Sequence, residues 1–319
     1  MNAVICNSVV TTFGVSSIET YPFYHKYVTP HAPTPLVRVE LDTGIGIWCK
    51  LEFLNPSGST KDRIARYILE QALLEGALRP GDLVIEASSG STSIAMALAC
   101  AQRGLRFMAV MPEGVSNERT LMIRAFGGQI KMTPREHGIR GALNESEALA
   151  KEINAFLPRQ FSNPRNAEAH QLGTATEILA ALPHVSAVVS GVGTGGTLVG
   201  LFNGCPGSIP VYARPIDYFT SDPECCSFSA RIPGVVDSVS ELFHEDRLKG
   251  LVTIEVPAAE ALATTRRIIA AGYPVGPSSG LNYCAAAEMA RRLGPEAKIV
   301  TVFPDRMERY FSTELFKGV

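Results

Sequence analysis

Residues 83–102, LVIEASSGSTSIAMALACAQ, contain a short apolar run, a turn of serines and glycine, and a longer apolar run. The first run, residues 83–87, has the length of a buried strand, and the second, which ends at Gln102, has that of a buried helix. The chain then repeats this order, because residues 106–111 predict a strand and residues 117–126 a helix. Apolar strands that alternate with helices are typical of a mostly parallel sheet covered on both faces. The sequence therefore predicts an α/β fold.

The composition fits an ordinary globular protein. The 319 residues are 46% hydrophobic and 19% charged, which allows one large α/β unit or two domains. Because the net charge of −2 comes from interspersed acidic and basic residues, neither nucleic acid nor an acidic membrane is expected as a partner. The start of the chain lacks the features of a secretory signal, and no apolar window is long enough to predict a spanning helix.

The spacing of cysteines and histidines predicts no metal site. The seven cysteines form no C-x-x-C pair, and the six histidines show no ligand spacing. Adjacent Cys225 and Cys226 could form a redox pair, although neighbouring thiols are usually free. We expect a cytoplasmic protein without a disulfide framework, whose histidines lie at the surface or behind the residues that line a site.

Lys61 is a candidate nucleophile. It lies in NPSGSTKDR, residues 55–63, between a strand-like segment at 47–52 and a helix with an apolar stripe. The positive end of the helix dipole disfavours a cation in the first turn. Together with partial burial, this field lowers the pKa of the amine and makes it usable as a nucleophile. The alternative is a solvated lysine on a loop.

Two loops that precede predicted helices could bind anions. The glycine-rich segment 191–197 follows an apolar strand at 187–190 and offers backbone N–H groups and threonine hydroxyls to a phosphate. It also matches the dinucleotide pattern G-x-G-x-x-G, with Asp217 placed as a ribose-binding acid, or it is a structural turn. Residues 88–92 could bind the carboxylate of a substrate with their hydroxyl and N–H groups, or they could simply form a serine N-cap of the following helix.

Several motifs, in order, resemble those of fold-type II pyridoxal-phosphate enzymes, the group of cysteine synthase, cystathionine β-synthase and threonine dehydratase. The resemblance covers about residues 33–315, nearly the whole chain. Its motifs are TPLVR at 34–38, PSGSTKDR at 56–63, EASSGSTS at 86–93, QFSNP at 160–164, GVGTGGT at 191–197, GPSSG at 276–280 and ERYFST at 308–313.

The resemblance implies that pyridoxal 5'-phosphate is held at Lys61 as a Schiff base. The implied cofactor contacts are Ser91, Gly191, Gly193, Thr194, Gly195, Gly196, Thr197 and Ser278. The implied substrate contacts are Ser88, Ser89, Gly90, Thr92 and Gln160. The chain departs from the family pattern at Ser91, where family members have an asparagine, and at Ser93, where they have a glycine. Either Ser278 or its neighbour Ser279 would meet the pyridine nitrogen, or both shape a turn before a helix from Leu281.

The implied activity is β-replacement on an activated serine, either O-acetylserine or O-phosphoserine. It would pass through an aminoacrylate and use sulfide, a thiol or another small nucleophile to form cysteine or a related β-substituted alanine. The alternatives are a cystathionine β-synthase or cysteine desulfhydrase activity, a non-catalytic binding protein with this fold, and an NAD-dependent oxidoreductase. Arg214 or Arg231 could recognise an anionic substituent such as phosphate.

The resemblance also implies a two-domain homodimer with the cofactor in the cleft between the domains. We expect residues 41–160 to form an N-terminal α/β domain with a mobile substrate loop. Residues 1–40 and 161–319 would form a C-terminal α/β domain that carries the phosphate loop.

Overall fold

The computed structural model describes residues 33–88, 90–216, 232–233, 235 and 240–317. Strands and helices alternate over most of this length, as the sequence predicts. The strands are β1 (Leu36–Asp42), β2 (Ile45–Lys50), β3 (Leu83–Ala87), β4 (Arg106–Pro112), β5 (Gln129–Thr133), β6 (Ala187–Ser190), β7 (Ile209–Ile216), β8 (Val252–Pro257) and β9 (Ile299–Val302).

The helices cover both faces of the sheets. They are α1 (Lys61–Leu74), α2 (Ser91–Gln102), α3 (Asn117–Ala125), α4 (Gly138–Ile153), α5 (Arg165–Ala169), α6 (Thr176–Ala181), α7 (Gly196–Gly204), α8 (Ala258–Ala270) and α9 (Pro277–Leu293). A π-helical turn, His170–Ala175, joins α5 to α6. Within the described residues, no helix combines the length and apolarity needed to cross a bilayer.

The strands form two sheets. The larger one has the order β1-β2-β9-β6-β7-β8, and the smaller one has the order β3-β4-β5. All strand pairs are parallel except β1 with β2, which are joined as an antiparallel hairpin. The inner strands β6 and β9 are buried along their whole length, as expected of strands with helices on both faces. The prediction of a mixed α/β fold with mostly parallel sheets is confirmed.

The hairpin of β1 and β2 belongs to the larger sheet. Strand β2 pairs with β9 from Trp48 to Lys50. A parallel partner slightly more than 250 positions further along the chain cannot be recognised from local sequence. The smaller sheet and α1 to α4 lie within residues 61–153, and the division into domains stays a prediction.

Helix α9 begins earlier than the sequence suggested. One alternative was that Ser278 and Ser279 shape a turn before a helix from Leu281, but the helix starts at Pro277. Proline suits the first helical position, because its fixed φ is already helical and its missing N–H would have no partner there. Both serines of GPSSG therefore lie in the first turn of a helix.

Candidate active site

One cavity brings together the carboxyl ends of three strands. Residues that follow β3, β6 and β9 line it, together with the first residue of α1 and the first turn of α9. Clefts at this edge of a parallel sheet are the usual binding sites of α/β proteins. The lining residues include Ser59, Thr60, Lys61, Ser91, Ser190, Gly191, Gly193, Thr194, Gly195, Thr197, Pro233, Val235, Ser278, Asn282, Val302, Pro304 and Asp305.

Lys61 is the cationic residue of this cavity. It is the first residue of α1, and its backbone N–H donates to the Ser59 hydroxyl at 3.2 Å. Burial lowers the pKa of its amine to about 8, although the carboxylate of Asp305 acts in the opposite direction. A considerable fraction of the amine is then neutral near physiological pH, so Lys61 can act as a nucleophile or as a base.

The glycine-rich loop lies between β6 and α7. Gly195 has a φ of +79°, and a Cβ there would collide with Phe243. A Cβ at Gly196 would collide with the side chain of Asn166, whose amide donates to the hydroxyl of Thr194 at 2.9 Å. Only glycine fits at these two positions, so the backbone N–H groups at the start of α7 stay accessible to an anion.

Most of the loop residues face the cavity, whereas Val192 and Gly196 do not. Gly191, Gly193, Thr194, Gly195 and Thr197 line the cavity. Gly196 is buried and is not among the lining residues, because it packs against Asn166. A dianion in this corner would meet N–H groups, hydroxyls and the end of a helix, which suits the phosphate of the expected cofactor.

The first turn of α9 distinguishes the two serines of GPSSG. Ser278 lines the cavity, whereas Ser279 is fully buried and its hydroxyl has no partner among the described residues. Asn282, one turn later, accepts from the N–H of Gly191 at 2.7 Å and donates to the carbonyl of Val302 at 2.9 Å. Asn282 thus fixes α9 to the loop and to β9, and of the two serines only Ser278 lines the cavity.

The serine loop before α2 is organised by its own hydrogen bonds. The hydroxyl of Ser88 accepts from the N–H groups of Gly90 at 2.9 Å and Ser93 at 3.2 Å, so it caps the helix. Thr92 donates to Gln160 Oε1 at 2.5 Å, and Gln160 Nε2 donates to the carbonyl of Ala87 at 2.7 Å.

Among the expected substrate contacts, Ser88, Gly90, Thr92 and Gln160 are buried beside the cavity but do not line it. Ser89 falls outside the described residues. Of the cofactor contacts, Ser91 lies in the same cavity as Lys61 and Ser278. The roles of these residues stay predictions.

Asp305 and Asn282 were missed by the sequence analysis. Asp305 follows β9 by three residues, and polar residues just after buried parallel strands are a signal that could have revealed it. Asn282 gave no such signal, because its two contacts join segments that lie 20 and 91 positions away.

His170 lies directly behind the glycine-rich loop. It is fully buried, with Nδ1 at 2.9 Å from the Thr174 hydroxyl and Nε2 at 3.2 Å from that of Thr197. Burial and, secondarily, the positive charge of Lys61 lower its pKa to about 3. His170 is therefore a neutral imidazole that orients Thr197, and in the described residues no group of three metal-ligating side chains is close enough to hold an ion.

Glu86, at the end of β3, should make stability depend on pH. Glu86 is 2% exposed, and burial raises the pKa of its carboxyl to about 8. The backbone N–H of Gln160 donates to the carboxyl at 3.4 Å and has the opposite, smaller effect on this pKa. Between about pH 4.3, where an unfolded glutamate ionises, and pH 8, the unfolded state loses a proton that the folded state keeps. The free energy of unfolding therefore falls as pH rises through this window.

Replacing Glu86 with glutamine should remove this dependence. We expect the free energy of unfolding of Glu86→Gln, relative to that of the wild type, to rise by on the order of a few kcal/mol from pH 5 to pH 8. Urea denaturation measures this difference. The matched control is Glu147→Gln, on the exposed face of α4, for which the difference from wild type should not change with pH. Parallel pH profiles of Glu86→Gln and wild type would show that Glu86 is ionised in the folded protein.

Comparisons with known proteins agree with the fold. A family model described as pyridoxal-phosphate dependent enzyme matches residues 28–305. A probable cysteine synthase of Bacillus subtilis (strain 168) is 35% identical over 302 residues, which cover 90% of this chain and 96% of that protein.

Two solved structures are similar over nearly their whole length. A hydrogen sulfide-producing enzyme from Fusobacterium nucleatum has a TM-score of 0.84 at 32% identity, and the match covers 92% of each chain. An O-acetylserine dependent cystathionine beta-synthase from Helicobacter pylori has a TM-score of 0.80 at 32% identity, and the match covers 89% of this chain and 96% of that one.

Proposed function

Because the chain belongs to the pyridoxal-phosphate dependent enzyme family, we propose that it replaces the β-substituent of an activated serine with a small nucleophile. The chain is an enzyme of the cysteine synthase type, and pyridoxal phosphate is its cofactor. The observation that carries the proposal is the shared cavity of Lys61, the glycine-rich loop and Ser278. O-acetylserine and O-phosphoserine are the donors we propose, with sulfide or a thiol as the nucleophile.

The cavity supports a definite role for each group. The loop 191–197 would bind the phosphate, and the hydroxyl of Ser278 would face the pyridine nitrogen. Bound pyridoxal phosphate supplies a covalent link to amino groups and an electron sink for the Cα of the substrate. A neutral hydroxyl leaves the pyridine nitrogen largely unprotonated, which favours expulsion of a β-leaving group over longer-lived carbanion chemistry.

Lys61 would perform the proton transfer. Once the amino acid has displaced it, the Lys61 amine would take the proton from Cα of the donor, and the β-substituent would leave with its electron pair. The nucleophile would then add at Cβ, and Lys61 would return the proton to Cα. An amine whose pKa is lowered to about 8 is suited to this work at neutral pH. The carboxylate of the donor would lie at the serine loop 88–92, where the start of α2 offers N–H groups.

A second candidate is β-replacement or β-elimination of the kind named for two of the similar structures. One produces hydrogen sulfide and the other is an O-acetylserine dependent cystathionine beta-synthase, so cysteine and thiol substrates belong in any test. The family membership argues against a dinucleotide site at 191–196. We further propose that the protein is a cytoplasmic homodimer and has no membrane or nucleic-acid partner. The near balance of 29 basic and 31 acidic residues supports the absence of such partners.

The test is the visible spectrum of the purified chain with O-acetylserine, O-phosphoserine, serine or cysteine added in turn. We expect a cofactor band that shifts rapidly with one activated serine, and release of cysteine when sulfide follows. A shift with cysteine alone, together with sulfide release, would favour the second candidate. No band, even with added pyridoxal phosphate, would refute both.

A further inference from the structure

Asp305 is the acidic counterpart of Lys61 in the cavity. Among the described lining residues, these are the two whose side chains carry charge. The carboxylate is 6% exposed, so it lies in a largely dry environment. It follows β9 and pairs with Ser59, two residues before Lys61, in an isolated antiparallel bridge.

The two oxygens of Asp305 have different surroundings. Oδ2 accepts from the Tyr310 hydroxyl at 2.6 Å and from the Ser91 hydroxyl at 3.2 Å, and Arg309 lies 3.9 Å from it. Oδ1 is buried and has no hydrogen-bond partner among the described residues. Leaving a buried carboxylate oxygen without a hydrogen-bond donor costs free energy. Such an oxygen in a cavity therefore favours the binding of a group that can donate to it.

Two neighbouring residues fit this arrangement. Gly276 leaves the space that Oδ1 occupies, since a Cβ there would collide with it. The hydroxyl of Ser91 donates to Asp305 at 3.2 Å and accepts from Arg309 at 3.4 Å. Ser91 therefore stabilises the carboxylate and links it to Arg309.

We propose that Asp305 is a positioning residue that holds the ammonium form of Lys61 after the substrate has displaced it. The proposal deepens the proposed function and rests on it. When the Cα–H bond of the donor breaks, its electron pair stays with the substrate and the proton forms a new N–H bond on Lys61 Nζ. The resulting ammonium donates to Oδ1.

The surrounding charges agree with this assignment. The charge of Lys61 acts on Asp305 and on the neutral His170 behind the glycine-rich loop, whose pKa is lowered by burial and by Lys61. Asp305 faces Lys61, Arg309 and the Tyr310 hydroxyl. Asp305 raises the pKa of Lys61 against the larger lowering caused by burial, so removing the carboxylate should shift the titration of Lys61 to lower pH.

The test compares Asp305→Asn with wild type in the full chain. Each protein is prepared once without the cofactor and once with the cofactor bound. In the cofactor-free chain, a limiting dose of acetic anhydride labels neutral amines, and mass spectrometry follows the Lys61 peptide against exposed Lys131 as internal reference. The pH midpoint of labelling should fall by about one unit in Asp305→Asn. In the loaded chain, the pH midpoint of the visible band should move the same way.

Two further variants make the outcome decisive. Glu308→Gln makes the same acid-to-amide change on a half-exposed residue that binds Arg306, and it should leave the midpoint unchanged. Tyr310→Phe removes a donor from Oδ2, which strengthens the pull of the carboxylate on Lys61, so the midpoint should rise. If Asp305→Asn does not fold, Tyr310→Phe decides alone. An unchanged midpoint in folded Asp305→Asn, or no rise in Tyr310→Phe, overturns the proposal. Because labelling needs neither cofactor nor turnover, this result is independent of the proposed function.

Discussion

Replacing Lys61 with alanine should reduce the rate of β-replacement by at least about a thousandfold, because proton transfer by a positioned base contributes roughly 10²–10⁴ and the covalent link to the cofactor is lost as well. The visible band that survives dialysis of the wild-type chain should be absent. Lys61 is the one lysine among the described residues that line the cavity. Lys50, on β2, is 1% exposed and donates to Glu177 at 2.6 Å and to the carbonyl of Thr34.

The measurement is the initial rate with O-acetylserine and sulfide, together with the absorbance of the dialysed protein. Lys131→Ala is the matched control, because this lysine is exposed on β5 and its only described ion pair is with Glu145. It should keep both the rate and the band. A Lys61→Ala protein that retained more than about a tenth of the wild-type rate would exclude Lys61 as the base.

Local elements of the fold were predictable because their signals are local. The apolar runs at 83–87 and 187–190 are strands with those bounds, and the helix expected from Ser91 to Gln102 has that length. Each is decided by apolar periodicity and by a glycine turn at its end. The start of α9 was misplaced by four residues, because serines that follow a glycine and a proline favour a turn as much as a first helical turn.

The site was predictable to the extent that it consists of short motifs. Lys61, the glycine-rich loop, Ser91 and Ser278 lie in one cavity, as the motifs implied. Asp305 was not found, since its importance comes from the order of strands in the larger sheet, which brings the end of β9 beside α1. The pairing of β2 with β9 is decided by packing over more than 240 positions, and a sequence window does not contain that information.

The same limit applies to the ionic cluster that anchors the helix of Lys61. Arg63 on α1 donates to Glu52 through Nε at 2.6 Å and to Glu177 through Nη1 and Nη2 at 2.7 Å. Glu52 is fully buried and also accepts from the Thr34 hydroxyl at 2.6 Å. The cluster joins the segment after β2 to α1 and α6, and Arg63 and Glu177 are 114 positions apart in the chain.

Arg63→Ala should lower the free energy of unfolding by about 3–5 kcal/mol, because it leaves the buried carboxylate of Glu52 without its cation. Urea denaturation at pH 7 measures the loss. Arg292→Ala, which breaks an exposed pair with Glu288 on α9, is the matched control and should cost only about 0–0.5 kcal/mol. Equal effects of the two substitutions would show that the buried cluster does not anchor α1.

The pH dependence of this loss in the free energy of unfolding distinguishes the effect of the missing charge from the effect of the missing packing. Burial raises the pKa of Glu52, but the charge and hydrogen bonds of Arg63 outweigh it and lower the pKa to about 2. In the wild type, this stabilisation is present above about pH 4.3 and is lost as pH falls through 2. Without Arg63, burial dominates and Glu52 takes up a proton more readily. The difference in free energy of unfolding between the wild type and Arg63→Ala should therefore become smaller as pH falls from 6 to 3. A difference caused by lost packing alone would stay constant.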